Sequence, residues 1–290
     1  MNENVGIECA GNVIEIRIDH NPHRVNPENI FYAMGDYISA YENIGRVLAE
    51  AVHADFSFEC ELESVRKGSI IAKMCVKGFD ILTNPDGLLK SLVYEISNID
   101  NLSNLAHQEE VRLSKKMTEN ERYRNRIEPT INKIDLAFAV EKFSKANLYL
   151  EPNEKVSLCE KDNDDNEVSS LDLNTNFRFT GNISKMFSNF KHRHDGADLV
   201  DIIKPCNYGN STWMLKSRST GHKYSAIIEH SDWLAKYQDE VFIVGAKASL
   251  KIHVVYDVFV VDGKEKIKNA RVKKVLEIID TIGVQNELLR

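Results

Sequence analysis

Residues 211–234, STWMLKSRSTGHKYSAIIEHSDWL, constrain the fold more than any other stretch of the chain. Two strand-like segments, 213–216 and 224–229, flank the polar turn Ser219-Thr220-Gly221-His222, and the stretch closes on Trp233. Strands before it (198–203) and after it (241–278) would close it into a small antiparallel barrel. From residue 176 onward the chain reads as strand after strand, about seven in all, with Gly209, Gly245 and Asp262-Gly263 between them. Ser231 is the expected cap of a short helical turn through Trp233. Short strands at this spacing, joined by glycine and asparagine turns, predict a barrel of the OB or SH3-like kind.

The first part of the chain carries a different pattern. Residues 5–9 and 13–19 predict a hairpin, and Val13-Ile14-Glu15-Ile16-Arg17-Ile18-Asp19 alternates as a half-buried strand does. Asn26 is the expected cap, and Pro27 the first residue, of the clearest helix in the sequence. In it Ile30, Met34, Ile38, Tyr41, Ile44, Leu48 and Ala51 recur every three or four residues. Residues 55–65 alternate again, Arg66-Lys67-Gly68-Ser69 makes a turn, and 70–76 returns as a partner strand. The prediction is a four-stranded sheet with one helix on a single face.

Residues 85–146 read as a helical connector, with a second helix over 86–96, a strongly polar and loosely periodic stretch over 100–126 whose end, 119–126, makes a solvated helix or a mobile connector, and a third helix opened by Pro129. Their apolar faces lack obvious partners within one subunit, which predicts a homo-oligomer. A hairpin is expected over 148–158, followed by the exposed stretch 160–167. That stretch lacks the glycine and the twelfth-position carboxylate of a calcium loop. The expected organisation is thus α+β: an N-terminal ββαββ domain over 1–84, the connector over 85–146 and a β-rich barrel over 147–290.

Composition excludes several classes. The chain is 290 residues long, 42% hydrophobic and 28% charged, with no uninterrupted apolar run that reaches the roughly 18 residues of a membrane span. Its N-terminus has neither the basic nor the apolar region of a secretory signal. Five scattered cysteines without a CxxC argue against a zinc site or a disulfide framework and for free thiols in a reducing cytoplasm. The net charge of −7 is uneven: −6 over residues 1–84, −5 over 85–167 and +4 over 168–290. An anionic partner for the C-terminal part is the functional reading of that asymmetry, and solvated surface charge is the simpler one.

The segment IIKPCNYGNSTWMLKS…HKYSAIIEHSDWLAKYQDEV resembles the C-terminal barrel of uncharacterised bacterial two-domain proteins from mobile-element and antiphage-defence neighbourhoods. The long N-terminal helix and the ESVRKGSI turn are similar to theirs as well. The resemblance implies a bacterial accessory or effector protein and no particular chemistry. Relatives with membrane-spanning middle helices differ from this chain, whose middle is polar.

Two groups of residues are candidate sites. Lys191, Arg193, Lys216, Arg218 and Lys223 interleave with aromatic residues of the barrel, as on surfaces that hold single-stranded nucleic acid. The tryptophans themselves are expected in the core. The alternative is a metal-dependent hydrolase or nuclease built on His192, His194 and Asp195, which needs that segment to be a strand and not a surface loop. Arg24 and the helix start after Asn26 form a further candidate anion site. No Walker loop, GxSxG, HExxH or dinucleotide-binding glycine motif is present. The expectation is a non-enzymatic interaction or sensing protein without cofactor, recognising a nucleic acid, a nucleotide or a partner protein.

Overall fold

The structure, a computed structural model, describes residues 12–54, 57–77, 84–119, 128–161, 167–242, 244–245, 248–261 and 264–279. It is a mixed α+β protein with two sheets and six helices among the described residues. The chain divides into two compact units, Met1–Met186 and Phe187–Arg290.

In the first unit β1 (Asn12–Asp19), β2 (Ser57–Arg66), β3 (Ser69–Lys77), β4 (Lys155–Lys161) and β5 (Glu167–Asp172) form a five-stranded sheet in the order β2-β3-β1-β4-β5. The strand expected over 5–9 lies outside the described residues. Alternation places Ile14, Ile16 and Ile18 of β1, Ile70, Ala72 and Met74 of β3, and Val156 and Leu158 of β4 in the core. Gly68, at φ +88°, makes the tight β2–β3 turn. Cys75 is disulfide-bonded, which corrects the free thiol expected there.

Helix α1 (Glu28–Ala51) packs against β1 and β3 and along α4 (Lys133–Leu148). It therefore buries more than the single stripe read from its period: Ala33, Tyr37, Ala40 and Val47 are as enclosed as Ile30 and Leu48. Its cap position is Pro27, without a side-chain cap, and not Asn26. Helices α2 (Asp86–Ser91) and α3 (Ile99–Glu119) complete the connector region. Helix α4 starts later than Pro129 suggested, capped by Asn132, whose side chain accepts from the backbone N–H groups of Ile134 and Asp135.

These helices find their partners within the unit. Phe143 of α4 meets Tyr37 of α1 edge to face at 5.6 Å, and Leu136, Ala137 and Val140 are fully buried. The apolar faces that suggested a homo-oligomer are therefore covered in cis, and that expectation loses its ground. No helix among the described residues is long and apolar enough to cross a membrane.

From sequence, the chain from residue 147 onward is expected in the barrel. In the structure β4 pairs with β1 and β5 with β4, so this hairpin extends the first sheet. Both edges of a sheet accept a strand, and local pattern does not say which sheet a hairpin joins. After the short helix α5 (Ile183–Met186) the second unit begins.

The second unit is a closed ring of five strands, β6 (Phe190–Lys204), β7 (Trp213–Ser217), β8 (Lys223–Ile228), β10 (Lys264–Ile279) and β9 (Ser249–Val261) in that order around the ring. All pairings are antiparallel except β8 with β10, which is parallel. Five strands replace the seven expected, because residues 177–182 make a single bridge, 240–242 form no strand, and β6 and β9 are long. Helix α6 (Ser231–Gln238) follows β8 and brings Trp233 and Tyr237 onto Trp213, with ring centroids 5.9 and 5.0 Å away. Trp213 is fully buried and Trp233 is 9% exposed, so both tryptophans are core residues as expected.

Candidate anion-binding face of the C-terminal ring

Alternation along β6, β7 and β8 sorts the side chains onto two surfaces. Val200, Trp213, Leu215, Tyr224, Ala226 and Ile228 fill the ring. Asp201, Met214, Lys216, Lys223, Ser225 and Ile227 fall on the opposite, outer surface. Register sets Lys216 directly opposite Lys223 across the β7–β8 pair, with Asp201 on the other flank of Lys216. Two like charges facing each other across a strand pair cost roughly 0.2–1 kcal/mol.

A buried carboxylate anchors the turn between these strands. Asp198, 7% exposed, accepts from the hydroxyls of Ser217 (3.0 Å), Ser219 (3.2 Å) and Tyr224 (3.3 Å). Burial pushes the Tyr224 phenol well up, and the Asp198 charge reinforces the shift, so this tyrosine remains a hydrogen-bond donor. The Arg218 amide donates to the Leu199 carbonyl at 2.8 Å, and Gly221 takes the left-handed conformation that the turn needs.

The five basic residues singled out from sequence divide sharply. Arg193 makes two bonds to Asp257, 2.7 and 3.0 Å long, and that carboxylate has no exposed surface; Asn269 donates to it as well. Arg193 is thus the counter-ion of a buried acid. Lys191 pairs with Glu265 and holds its carboxyl below the usual carboxylate range. Arg218 pairs with Asp201 at 2.7 Å on the surface. Burial opposes ionisation of Asp201, but the Ser249 hydroxyl, the Arg218 guanidinium and the Lys216 ammonium together hold its carboxyl below the usual range. Lys216 and Lys223 are the members of the set with no ion pair among the described residues.

The histidine cluster is in β6 and not in a loop, since Gly196 continues the strand. Its members nevertheless diverge. The His194 ring stacks on Tyr256 at 4.6 Å, Asp195 pairs with His253 of β9 at 2.8 Å, and His192 is exposed. Among the described residues no group of three or more His, Cys, Asp or Glu is placed to hold a metal ion. The anion site expected at Arg24 is also closed: its guanidinium bonds Glu154 at 3.0 Å and the Tyr149 carbonyl at 2.8 Å, with both charged side chains nearly inaccessible.

A further basic element stands outside the five candidate residues. Strand β10 opens with Lys264-Glu265-Lys266-Ile267-Lys268-Asn269-Ala270-Arg271-Val272-Lys273-Lys274, six basic residues against a single acid. The density of charge was legible; the face on which the charges stand was not, because three register shifts interrupt the strand. No protein-family model matches this chain, and neither a curated protein nor a solved structure matches it.

Proposed function

We propose that this chain is a non-enzymatic binding protein whose C-terminal ring, a small barrel of the OB kind, holds single-stranded nucleic acid. The fold part of the proposal is supported by the strand order. A five-stranded ring β6-β7-β8-β10-β9, with its third and fifth strands parallel and a helix after the third, is a closed Greek-key arrangement. In such barrels the face of the second and third strands receives oligonucleotides. Here those strands are β7 and β8.

The observation that carries the functional reading is the cross-strand pair Lys216–Lys223 on that face. Asp201 offsets part of the Lys216 charge, and a phosphate would relieve the repulsion that is left in the pair. Met214 and Ile227 offer apolar surface beside it, and Tyr208, 89% exposed, stands in the β6–β7 loop as a stacking platform. Gln238 of α6 holds that loop by donating to the Gly209 carbonyl at 2.7 Å. In the setting implied by the resemblance to proteins of antiphage-defence neighbourhoods, the ligand would be foreign nucleic acid.

The test is fluorescence anisotropy of a labelled homopyrimidine strand against the full chain over a range of salt concentrations. Each single-strand phosphate contact contributes about −0.7 to the slope of log K against log salt. Replacing Lys216 and Lys223 together with serine is expected to flatten the slope by about 1.4. Absence of binding by the unaltered chain at low salt refutes the reading. So does metal-dependent degradation of the strand that is lost in the double variant His192→Ala, His194→Ala.

A further inference from the structure

We infer that the outer face of β10 is a second basic track, along which the backbone of the same nucleic acid runs. The register carries the argument. Lys264, Lys266, Lys268, Arg271 and Lys274 lie opposite Val261, Phe259, Asp257, Val255 and His253 of β9. Those partners are alternate residues of an unbroken strand and therefore share one face. Three register shifts in β10, between Lys268 and Arg271, between Val272 and Lys274 and between Val275 and Glu277, each insert one extra residue, and the third ends the basic track by setting Glu277 opposite Lys251. Without the first insertion Arg271 would turn toward the ring interior, and with the first but not the second Lys274 would. Asn269 takes the first shift in the left-handed conformation, at φ +54°.

The four lysines of this face are not neutralised internally. Glu265, the one acid in the run, projects to the opposite face, opposite Val260, and pairs there with Lys191. Asp257 is buried and held by Arg193 and Asn269. Arg271 lies 4.0 Å from Glu229 and Lys268 sits over the Phe259 ring, but no carboxylate among the described residues pairs with Lys264, Lys266, Lys268 or Lys274. All four lysines are exposed. The rungs stand about 7 Å apart, two strand residues, so the track is about 27 Å long. Arg271 is opposite Ile227 of β8, which makes the track continuous with the face that carries Lys216 and Lys223. A row of like charges of that length suits a polyanion with one charge per repeat.

The inference rests on the nucleic-acid reading, and one experiment separates their failures. The salt slope for a labelled homopyrimidine strand is measured for the full chain and for the triple variant Lys264→Ser, Lys266→Ser, Lys268→Ser. A control triple, Lys115→Ser, Lys155→Ser, Lys185→Ser, lowers net charge equally in the other unit. The β10 triple is expected to flatten the slope by about 2, which is roughly a 50-fold loss of affinity at 0.15 M salt if the two lines meet at 1 M. Arginine at the three positions is expected to restore the slope, and the control is expected to leave it unchanged.

An unchanged slope in the β10 triple, while the Lys216 and Lys223 variant weakens binding, overturns the track and leaves the proposed function standing. The lysines would then serve to guard the strand edge, since residues 264–268 pair with β9 alone, and the triple would self-associate instead. Equal weakening by the control triple overturns the track too. No binding by the unaltered chain overturns both readings, and a preference for duplex over single strand overturns the track as described.

Discussion

Replacing Arg193 with methionine should destabilise the C-terminal ring by about 3 kcal/mol. The Asp257 carboxylate has no exposed surface, and its two bonds to the guanidinium are 2.7 and 3.0 Å long. Breaking a buried pair by removing one partner costs about 3–5 kcal/mol, because a charge is left without compensation. The Arg193 side chain is 13% exposed, so water already reaches it and the lower end applies. With a urea dependence near 2 kcal/mol per molar, the midpoint should fall by about 1.5 M. Both tryptophans of the chain, Trp213 and Trp233, lie in this ring, so intrinsic fluorescence reports its unfolding without interference from the first unit. The double variant Arg193→Met, Asp257→Leu removes both charges and should recover part of the loss. A single-variant cost under about 1 kcal/mol, or a double variant whose cost equals the sum of the two singles, would falsify the buried-pair argument. The same variant separates structure from binding. The guanidinium is occupied by Asp257, so its removal should leave the nucleic-acid salt slope unchanged wherever the protein remains folded.

Two further predictions concern the units separately. Asn147 is 2% exposed, accepts from the Tyr37 hydroxyl and donates to the carbonyls of Asn174 (3.1 Å) and Phe177 (3.0 Å). Alanine there should cost the first unit about 3 kcal/mol by stranding these groups, read as earlier thermal loss of far-UV circular dichroism; a shift worth under about 1 kcal/mol would count against it. In the ring, the His230 Nδ1 accepts from the Val275 amide at 3.2 Å, and burial together with the Lys274 ammonium holds the imidazole below its usual value. The folded state then binds fewer protons than the unfolded one. The associated stability is complete above about pH 6.5 and is lost as pH falls through the lower folded value. Tryptophan fluorescence in urea should show a lower midpoint near pH 5.5 than near pH 7.5. His230→Asn, which retains an acceptor but does not titrate, should reduce that difference; an identical pH dependence in the variant would exclude His230 as its source.

Much of the local structure was legible because it depends on neighbours in sequence. The three- to four-residue recurrence from Ile30 to Ala51 predicts α1, and the alternation after Val13 predicts β1. The β2–β3 turn follows from Gly68, and the hairpin of β7 and β8 from the segments flanking Gly221. The placement of Trp213 and Trp233 follows from the bulky filling a small ring needs. The candidate site was less legible. Of its five basic residues, Lys216 and Lys223 are on one face as strand alternation requires, whereas Lys191, Arg193 and Arg218 are claimed by Glu265, Asp257 and Asp201. Those acids lie in other strands, where no local spacing announces them.

The division follows from the range of the forces involved. By itself the sequence determined the period of each element, its apolar stripe, its turns and the basic character of the last third. These reflect backbone geometry and side-chain alternation over a few residues. Tertiary structure alone decided that β4 and β5 join the first sheet, that the connector helices are covered within their own unit, and that β10 closes the ring beside β8. It also decided which charges of β10 share a face, because the three register shifts are set by pairing with β9. Backbone hydrogen bonding accepts any strand of suitable pattern, and burial of a whole sheet face selects among them. That selection is a property of the assembled core, and no segment of the chain carries it alone.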